Sequence, residues 1–377
     1  MKNFLRQILK PKYETFNRLE IKADNILHNW QYLKSRQPTA ALFPVLKSNA
    51  YGHGLKEVAQ ILNRTDAPLA VVDSYPEAQI VYDYFKGRVL ILGEMPLGAY
   101  RYCRFKRTEF VVYNEKTLRE LSRYGRQARV HLFVNTGMNR EGIKDWTAFI
   151  KRNLKYLSQV EISGLCSHLA SAEEDSPLNR EQLKRFKAAL GELRQAGFFP
   201  RWVHLGNSAA ALTLREDFLT AYRPGLAFYG YSPFQDRRAA ESLRPALEIY
   251  SRLVSVQEIN AGESVSYNEI YRVKQKTKIG LLPFGYFEGL NLRLSNRAEF
   301  LVKGEFGQAY CRLAGRVCMN LSSLDLGHCQ AEAGDEVQIV SSDSLAPNSI
   351  YSLANISEMI VYEFLVKLNS NIRREVL

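Results

Sequence analysis

The sequence predicts an α/β chain with a β appendage: an N-terminal (β/α)8 TIM-like barrel followed by a C-terminal, mainly β domain. Three observations lead there. Between about residue 17 and residue 245, short apolar runs alternate with amphipathic helical stretches, as in a parallel sheet covered by helices. Beyond Arg244 and Pro245 the runs become β-branched and aromatic, separated by glycine turns. The length, 377 residues, exceeds one ordinary domain and suits a barrel plus a further module. The expected boundaries are a basic N-terminal arm over 1–13, the barrel over 14–245 and the β domain over 246–377.

Taken in order, the arm opens with a basic run, but Arg6 and Gln7 interrupt the apolar core that a secretory signal needs. Barrel strands are expected at 40–46, 69–73, 89–92, 110–113, 130–134, 160–165 and 202–205, with eight-fold closure as the natural solution. Between the last two, Leu183, Phe186, Leu190 and Leu193 share one helical face, as a helix lying on a sheet requires. In the β domain, strands are expected within 247–259, 265–273, 277–282, 300–303 and 337–340. A final helix is expected over 352–368, where Leu353, Ile356, Ile360, Phe364 and Leu368 keep helical spacing.

Composition narrows the function classes. With 46% hydrophobic and 24% charged residues the chain reads as soluble and globular, and no apolar run approaches the roughly 18 residues of a membrane span. No membrane partner is expected. The net charge of +12 raises nucleic acid as a partner, yet acids are scattered among the bases and no nucleic-acid-binding motif is present, so none is expected. Five cysteines, at 103, 166, 311, 318 and 329, form no Cys-x-x-Cys pair. Neither a disulfide framework nor a metal site is suggested, and a reducing cytoplasm fits.

The chemistry centres on residues 44–54, Pro-Val-Leu-Lys-Ser-Asn-Ala-Tyr-Gly-His-Gly. An apolar run delivers Lys47 to a turn of small polar residues, and barrel enzymes collect their chemistry at such strand ends. Most lysines are simply exposed. One placed in a cleft can lose proton affinity by desolvation, form a Schiff base and act as a base. Residues 135–140, His168, Asn207 and Arg223 fall at similar positions.

The string at 45–54 closely resembles the cofactor-lysine motif of the alanine racemase family, and the resemblance returns at intervals from about residue 16 to residue 374. It implies that Lys47 carries pyridoxal 5′-phosphate and serves as a base on one face of the substrate. Residues 136–142, Thr-Gly-Met-Asn-Arg-Glu-Gly, resemble the loop whose arginine, here Arg140, reaches the substrate carboxylate. Ser-His-Leu-Ala at 167–170 and His-Leu-Gly-Asn-Ser-Ala at 204–209 match the family's two histidine segments. Arg-Pro-Gly-Leu-Ala-Phe-Tyr-Gly at 223–230 matches the segment whose arginine, Arg223, faces the ring nitrogen. In the β domain, Ser-Val-Ser-Tyr at 264–267 resembles the segment of the second base, which makes Tyr267 its candidate and His168 its relay. The segments 285–289 and 315–319 resemble the substrate-side pair bearing Tyr286 and Met319, and Tyr362 the late tyrosine.

The resemblance further implies a cofactor cradle of Tyr51, His204, Asn207, Ser208, Gly225, Leu226 and Tyr362. It also implies a head-to-tail homodimer with Tyr267 supplied by the partner subunit, and interconversion of L- and D-alanine for peptidoglycan. An arginine at the ring nitrogen cannot protonate it, which weakens the electron sink and favours returning the proton over transamination. Two positions depart from the family. Phe133 stands where many members carry a carbamylated lysine that buttresses the arginine, and Asn320 where aspartate is common. Arg140 is then expected to take its orientation from an inorganic anion such as chloride, a neighbouring side chain or the substrate carboxylate. Other small amino acids such as serine, a lyase or aldolase on the same barrel, and a non-enzymatic cofactor carrier are the alternatives.

Overall fold

The computed structural model describes residues 15–235, 242–305 and 307–377, so the expected arm over 1–13 lies outside the described residues. Two compact units result. One comprises Lys22–Ala246 with the two terminal residues Val376–Leu377; the other comprises Leu247–Glu375 together with residues 15–21.

In the first unit, six parallel strands follow one another in chain order: Leu69–Val72, Arg88–Ile91, Thr108–Val112, Arg129–Phe133, Glu161–Cys166 and Trp202–His204. Ala41–Leu42 pairs in parallel with Ala221–Tyr222, a strand too short for apolar patterning to reveal. Backbone hydrogen bonds join these two groups into a closed eight-strand barrel. On one side Val45 bridges to Val71; on the other Thr220 N–H donates to Val203 O and Arg223 N–H to Gly206 O, both at 2.9 Å. The strand expected over 40–46 is regular only at Ala41–Leu42, because Pro44 has no N–H for a ladder. Its neighbours still pair: Phe43 N–H reaches Tyr222 O at 2.8 Å and Val45 N–H reaches Pro224 O at 2.9 Å.

Phe43, Val45, Leu69, Val71, Leu90, Val111, Phe133, Cys166 and Ala221 form one buried apolar cluster within the barrel unit. The helix Pro177–Gln195 begins at Ser176, whose side chain accepts from Leu178 N–H, and buries Phe186, Leu190 and Leu193. These packed layers hold the strand ends still, which is what makes them usable for chemistry.

The second unit is built on a nine-stranded sheet in which Arg18–Ile21 runs antiparallel to Leu247–Arg252. Residues 15–21 thus belong with the sheet, although the sequence reading began the barrel at residue 14. Three expected elements differ in detail. The run over 247–259 is two strands, Leu247–Arg252 and Ser255–Ile259. The stretch 265–273 is a loop pinched by a bridge between Ser264 and Arg272, with a single 3-10 turn at Tyr267–Glu269. The final helix is broken into Ile350–Ile356 and Val361–Val366. Glu358 between them is left-handed (φ 54°), and Met359 N–H closes back on Ala354 O at 2.9 Å. Leu353, Phe364 and Leu368 are buried as the spacing requires, but Ile360, beside the break, is exposed.

Candidate active site

Lys47 opens a short turn, Lys47–Tyr51, in which Ser48, Asn49, Ala50 and Tyr51 all have φ between 52° and 56°. Four successive non-glycine residues in the left-handed region are costly and persist only when surroundings over-determine them. Here they do. Ala50 N–H donates to Leu46 O at 2.7 Å, Gly54 N–H to Asn49 O at 3.0 Å, and Leu55 N–H to the Asn49 side chain at 2.8 Å. Glu77 ties the turn to the next strand end, accepting from Ser48 N–H at 2.6 Å and from Asp73 N–H at 2.9 Å. Lys47 Nζ consequently lies 3.8 Å from Asp73 Oδ1. Sequence reading missed both acids; the signal for Asp73 was its place at the end of an apolar run.

Arg223 follows the eighth strand and is buried. Its Nη2 donates to Ser167 O at 2.6 Å and to His168 Nδ1 at 3.1 Å; its Nη1 donates to His204 O at 3.1 Å and to His204 Nδ1. All four acceptors are neutral. A guanidinium is only a donor, so the hydrogen of each neutral imidazole must sit on Nε2. Burial, reinforced by the charges of Arg223, Arg140 and Lys47, depresses His168 to about 3. Burial and Arg223 hold His204 well below the usual histidine range as well. Both rings are therefore neutral, and His168 has an Nε2–H to donate.

The remaining barrel residues build a cradle for an anion. Ser208 Oγ accepts from Gly225 N–H at 3.0 Å and Ala227 N–H at 3.1 Å, which leaves its own hydrogen for a third partner. A Cβ at Gly225 would lie 2.5 Å from the Tyr51 hydroxyl, so only glycine allows that approach. Leu226 begins the 3-10 turn Leu226–Tyr229. Asn207 has a second duty, capping the helix Ser208–Thr213 by accepting from Ala209 N–H at 3.0 Å and Ala210 N–H at 3.2 Å. Burial raises the Tyr51 hydroxyl to about 12, so it stays a neutral donor. One amine, neutral hydroxyl donors and a buried arginine suit pyridoxal phosphate, whose aldehyde, phosphate and ring nitrogen need those three partners.

Arg140 lies on a loop closed by the parallel bridge between Val134 and Ile143, where Asn135 N–H reaches Ile143 O at 3.0 Å. Of the three sources of orientation expected for Arg140 beside Phe133 and Asn320, the loop supplies the neighbouring side chain. Glu141 takes a hydrogen bond from Arg140 Nη2 at 2.6 Å and another from Nε. Phe133 fills apolar volume beneath, its ring 5.2 Å from that of Tyr113.

In the β unit, three segments with expected roles are knitted together. Ser266 Oγ donates to Arg316 O at 2.7 Å, Tyr286 N–H to Cys318 O at 3.0 Å, and Phe287 N–H to Met319 O at 2.8 Å. Gly315 (φ 80°) allows the approach, since a Cβ there would meet Val265 O at 2.3 Å. Tyr267, Tyr286 and Met319 are all exposed within this unit, Tyr267 by 67%. Asn320 donates to Glu288 at 3.1 Å. Tyr362 sits on the helix Val361–Val366.

Residues 21–233 match the alanine racemase N-terminal domain and residues 246–376 the alanine racemase C-terminal domain. Alanine racemase 2 of Caldanaerobacter subterraneus subsp. tengcongensis is 34% identical over 333 residues, covering 85% of this chain and 84% of the relative. The alanine racemase of Clostridium perfringens is 30% identical over 365 residues, 94% of each chain. Among solved structures, the alanine racemase of D-cycloserine-producing Streptomyces lavendulae superposes with a TM-score of 0.89 at 30% identity, covering 97% of this chain and 98% of that one. The Bacillus anthracis enzyme with bound L-Ala-P gives 0.87 at 26% identity, covering 97% and 96%. With both domains of one family matched in order across nearly its whole length, the chain belongs to the alanine racemase family of pyridoxal-phosphate-dependent isomerases.

Proposed function

We propose that the chain interconverts the enantiomers of a small amino acid, alanine foremost, by a two-base mechanism with Lys47 on one face and Tyr267 on the other. The observation that carries it is the buried Arg223 with only neutral partners, two of them imidazoles whose hydrogens are thereby directed away from it. Bound pyridoxal phosphate supplies an electron sink that acidifies the α-hydrogen. The chain does the rest. Lys47 Nζ anchors the cofactor and takes or returns the proton on its face. Tyr51, Ser208, Gly225, Leu226 and Tyr362 hold the phosphate, while His204 and Asn207 support the barrel side of the cradle. Arg140 orients the substrate carboxylate, with Tyr286 and Met319 bounding the entrance.

A tyrosine works as a base near neutrality only where a neighbour stabilises its phenolate. A neutral His168 with its Nε2–H outward is the donor that a phenolate needs. Arg223 keeps the ring nitrogen unprotonated and so steers the reaction toward proton return. Tyr267 is expected from the partner subunit of a head-to-tail homodimer, in a cytoplasmic enzyme serving peptidoglycan synthesis. Among the described residues no helix is long and apolar enough to cross a membrane.

The purified holoenzyme should racemise alanine faster than serine or any other member of a chiral amino-acid panel. A protein that absorbs as a pyridoxal-phosphate enzyme yet leaves every enantiomer unchanged would refute the reading. Mixing Lys47→Ala and Tyr267→Phe chains tests the shared site. Random pairing of two inactive parents should restore about a quarter of native activity, since half the dimers then hold one complete site. No restoration would place Tyr267 in its own subunit's site.

A further inference from the structure

Arg223 ends a line of buried polar groups that runs away from the proposed chemistry, along the barrel interior. His204 Nε2 meets His131 Nδ1 at 2.7 Å, and His131 Nε2 meets Glu109 Oε2 at 2.7 Å. Glu109 is in turn 3.1 Å from Arg88, whose guanidinium is half exposed at the start of its strand. Arg88 and Glu109 also line a cavity of about 440 Å³ together with Arg201 and Trp202. Both imidazoles are wholly buried, and Glu109 is 1% exposed.

The line is built into the fold. The barrel strands slip register between Val130 and His131, which sets His131 opposite Gly164. A Cβ at Gly164 would lie 2.2 Å from His131 Nδ1, so the ring occupies space that only glycine leaves. Phe43 packs edge-on against His204, with ring centroids 5.4 Å apart, and fixes its plane.

The polarity of the line follows from its ends. Arg223 can only donate, so His204 Nδ1 accepts and its hydrogen is on Nε2. His131 Nδ1 must then accept, which puts its hydrogen on Nε2, facing Glu109. An ionised carboxylate only accepts, so every bond is satisfied in one sense. Among the described residues Arg223 has no carboxylate as a direct partner, and Glu109 is the anion to which its hydrogen-bonded line leads. Burial opposes ionisation of Glu109, but His131 and Arg88 together outweigh it and keep the carboxyl below its usual range. Buried chains of this kind polarise one another and are costly when partly broken.

We propose that Glu109 is a remote positioning residue: through His131 and His204 it holds a lone pair, never a hydrogen, against Arg223, and so fixes how that arginine meets the cofactor ring. The proposal rests on the reading that Arg223 faces the ring nitrogen. Glu109→Gln keeps the shape but admits a donor. If the amide turns its NH₂ to His131, that ring must move its hydrogen to Nδ1, His204 must follow, and an N–H then opposes Arg223.

The test uses the holoenzyme with ¹⁵N-labelled histidine, tractable because the chain has six. Native protein should show His131 and His204 as neutral rings protonated on Nε2. Glu109→Gln should shift one or both toward Nδ1–H and raise pyruvate formed per racemisation roughly tenfold, the size of one lost hydrogen bond to a charged group, with KM within about twofold of native. Native His204 protonated on Nδ1 overturns the proposal, and that measurement needs no variant. Tautomers shifted toward Nδ1–H with an unchanged pyruvate partition also overturn it, leaving Glu109 a merely structural residue. Native enzyme with the expected tautomers but no racemisation would refute the racemase reading while leaving the relay intact.

Discussion

Glu141→Leu should loosen the grip on substrate without slowing the chemistry. In the native chain the Glu141 carboxylate engages Nε and Nη2 of Arg140, the side edge of the guanidinium, and among the described residues Nη1 has no hydrogen-bond partner. The Nη1 edge can therefore still grip a second carboxylate, so Glu141 orients the arginine and does not block it. The pair is partly exposed, with the Arg140 side chain 57% accessible and that of Glu141 24%. Screening reduces an ion pair of this kind to at most about 1 kcal/mol of stability. Ordering one long side chain costs about 0.5–1.5 kcal/mol, and without Glu141 the substrate must supply that ordering itself. The expected result is a rise in KM for alanine of roughly three- to tenfold, with kcat nearly unchanged, because the interaction is shared by ground and transition states. Initial rates in both directions, measured with and without 100 mM chloride (roughly the anion level of physiological ionic strength), provide the assay. Chloride should partly rescue the variant and leave the native enzyme indifferent. A KM that is unchanged or lower in Glu141→Leu would mean that Glu141 competes with the substrate, and the positioning account would be wrong.

Lys47→Ala should abolish racemisation and covalent cofactor together; a borohydride-reducible adduct in the purified variant would contradict the assignment. Tyr267→Phe should bind cofactor normally but exchange the α-hydrogen of one enantiomer far more slowly than the other, and equal losses in single-turnover deuterium exchange would count against two opposed bases. Arg223→Glu should let the ring nitrogen be protonated and raise pyruvate formation relative to racemisation, with no change in that ratio refuting the electronic account. The stability of the protein should fall as pH drops below neutrality. His168 is depressed to about 3 in the folded state against an unfolded value near 6.5, so its contribution is complete above pH 6.5 and is lost progressively on acidification toward 3. His204 adds in the same sense. A His168→Gln chain should show a shallower decline of Tm between pH 6.5 and 4, and a decline as steep as native would show that His168 is charged when folded.

Much of this protein is legible without coordinates because its decisive features are local. Strand and helix periods follow from alternating burial, and seven of the eight barrel strands carry apolar runs long enough to read. Lys47, His168, His204 and Arg223 sit in short strings at strand ends, where the fold class already locates chemistry. Ala221–Tyr222 escaped because two residues carry no period, and the break at Glu358 because apolar residues at helical spacing continue across it in the sequence.

What only the tertiary structure decided are contacts between residues distant in sequence, or side-chain directions that spacing leaves open. Glu141 adjoins Arg140 in the chain, yet nothing in the order of residues says that it folds back onto the guanidinium in place of an anion at Phe133. Glu77 holds Lys47 beside Asp73 from about 30 residues away, a separation across which sequence pattern carries no register. Glu109, His131 and His204 look like isolated polar residues in apolar strands. They become one directed line only because a register slip and Gly164 bring their rings within hydrogen-bonding distance across the barrel interior.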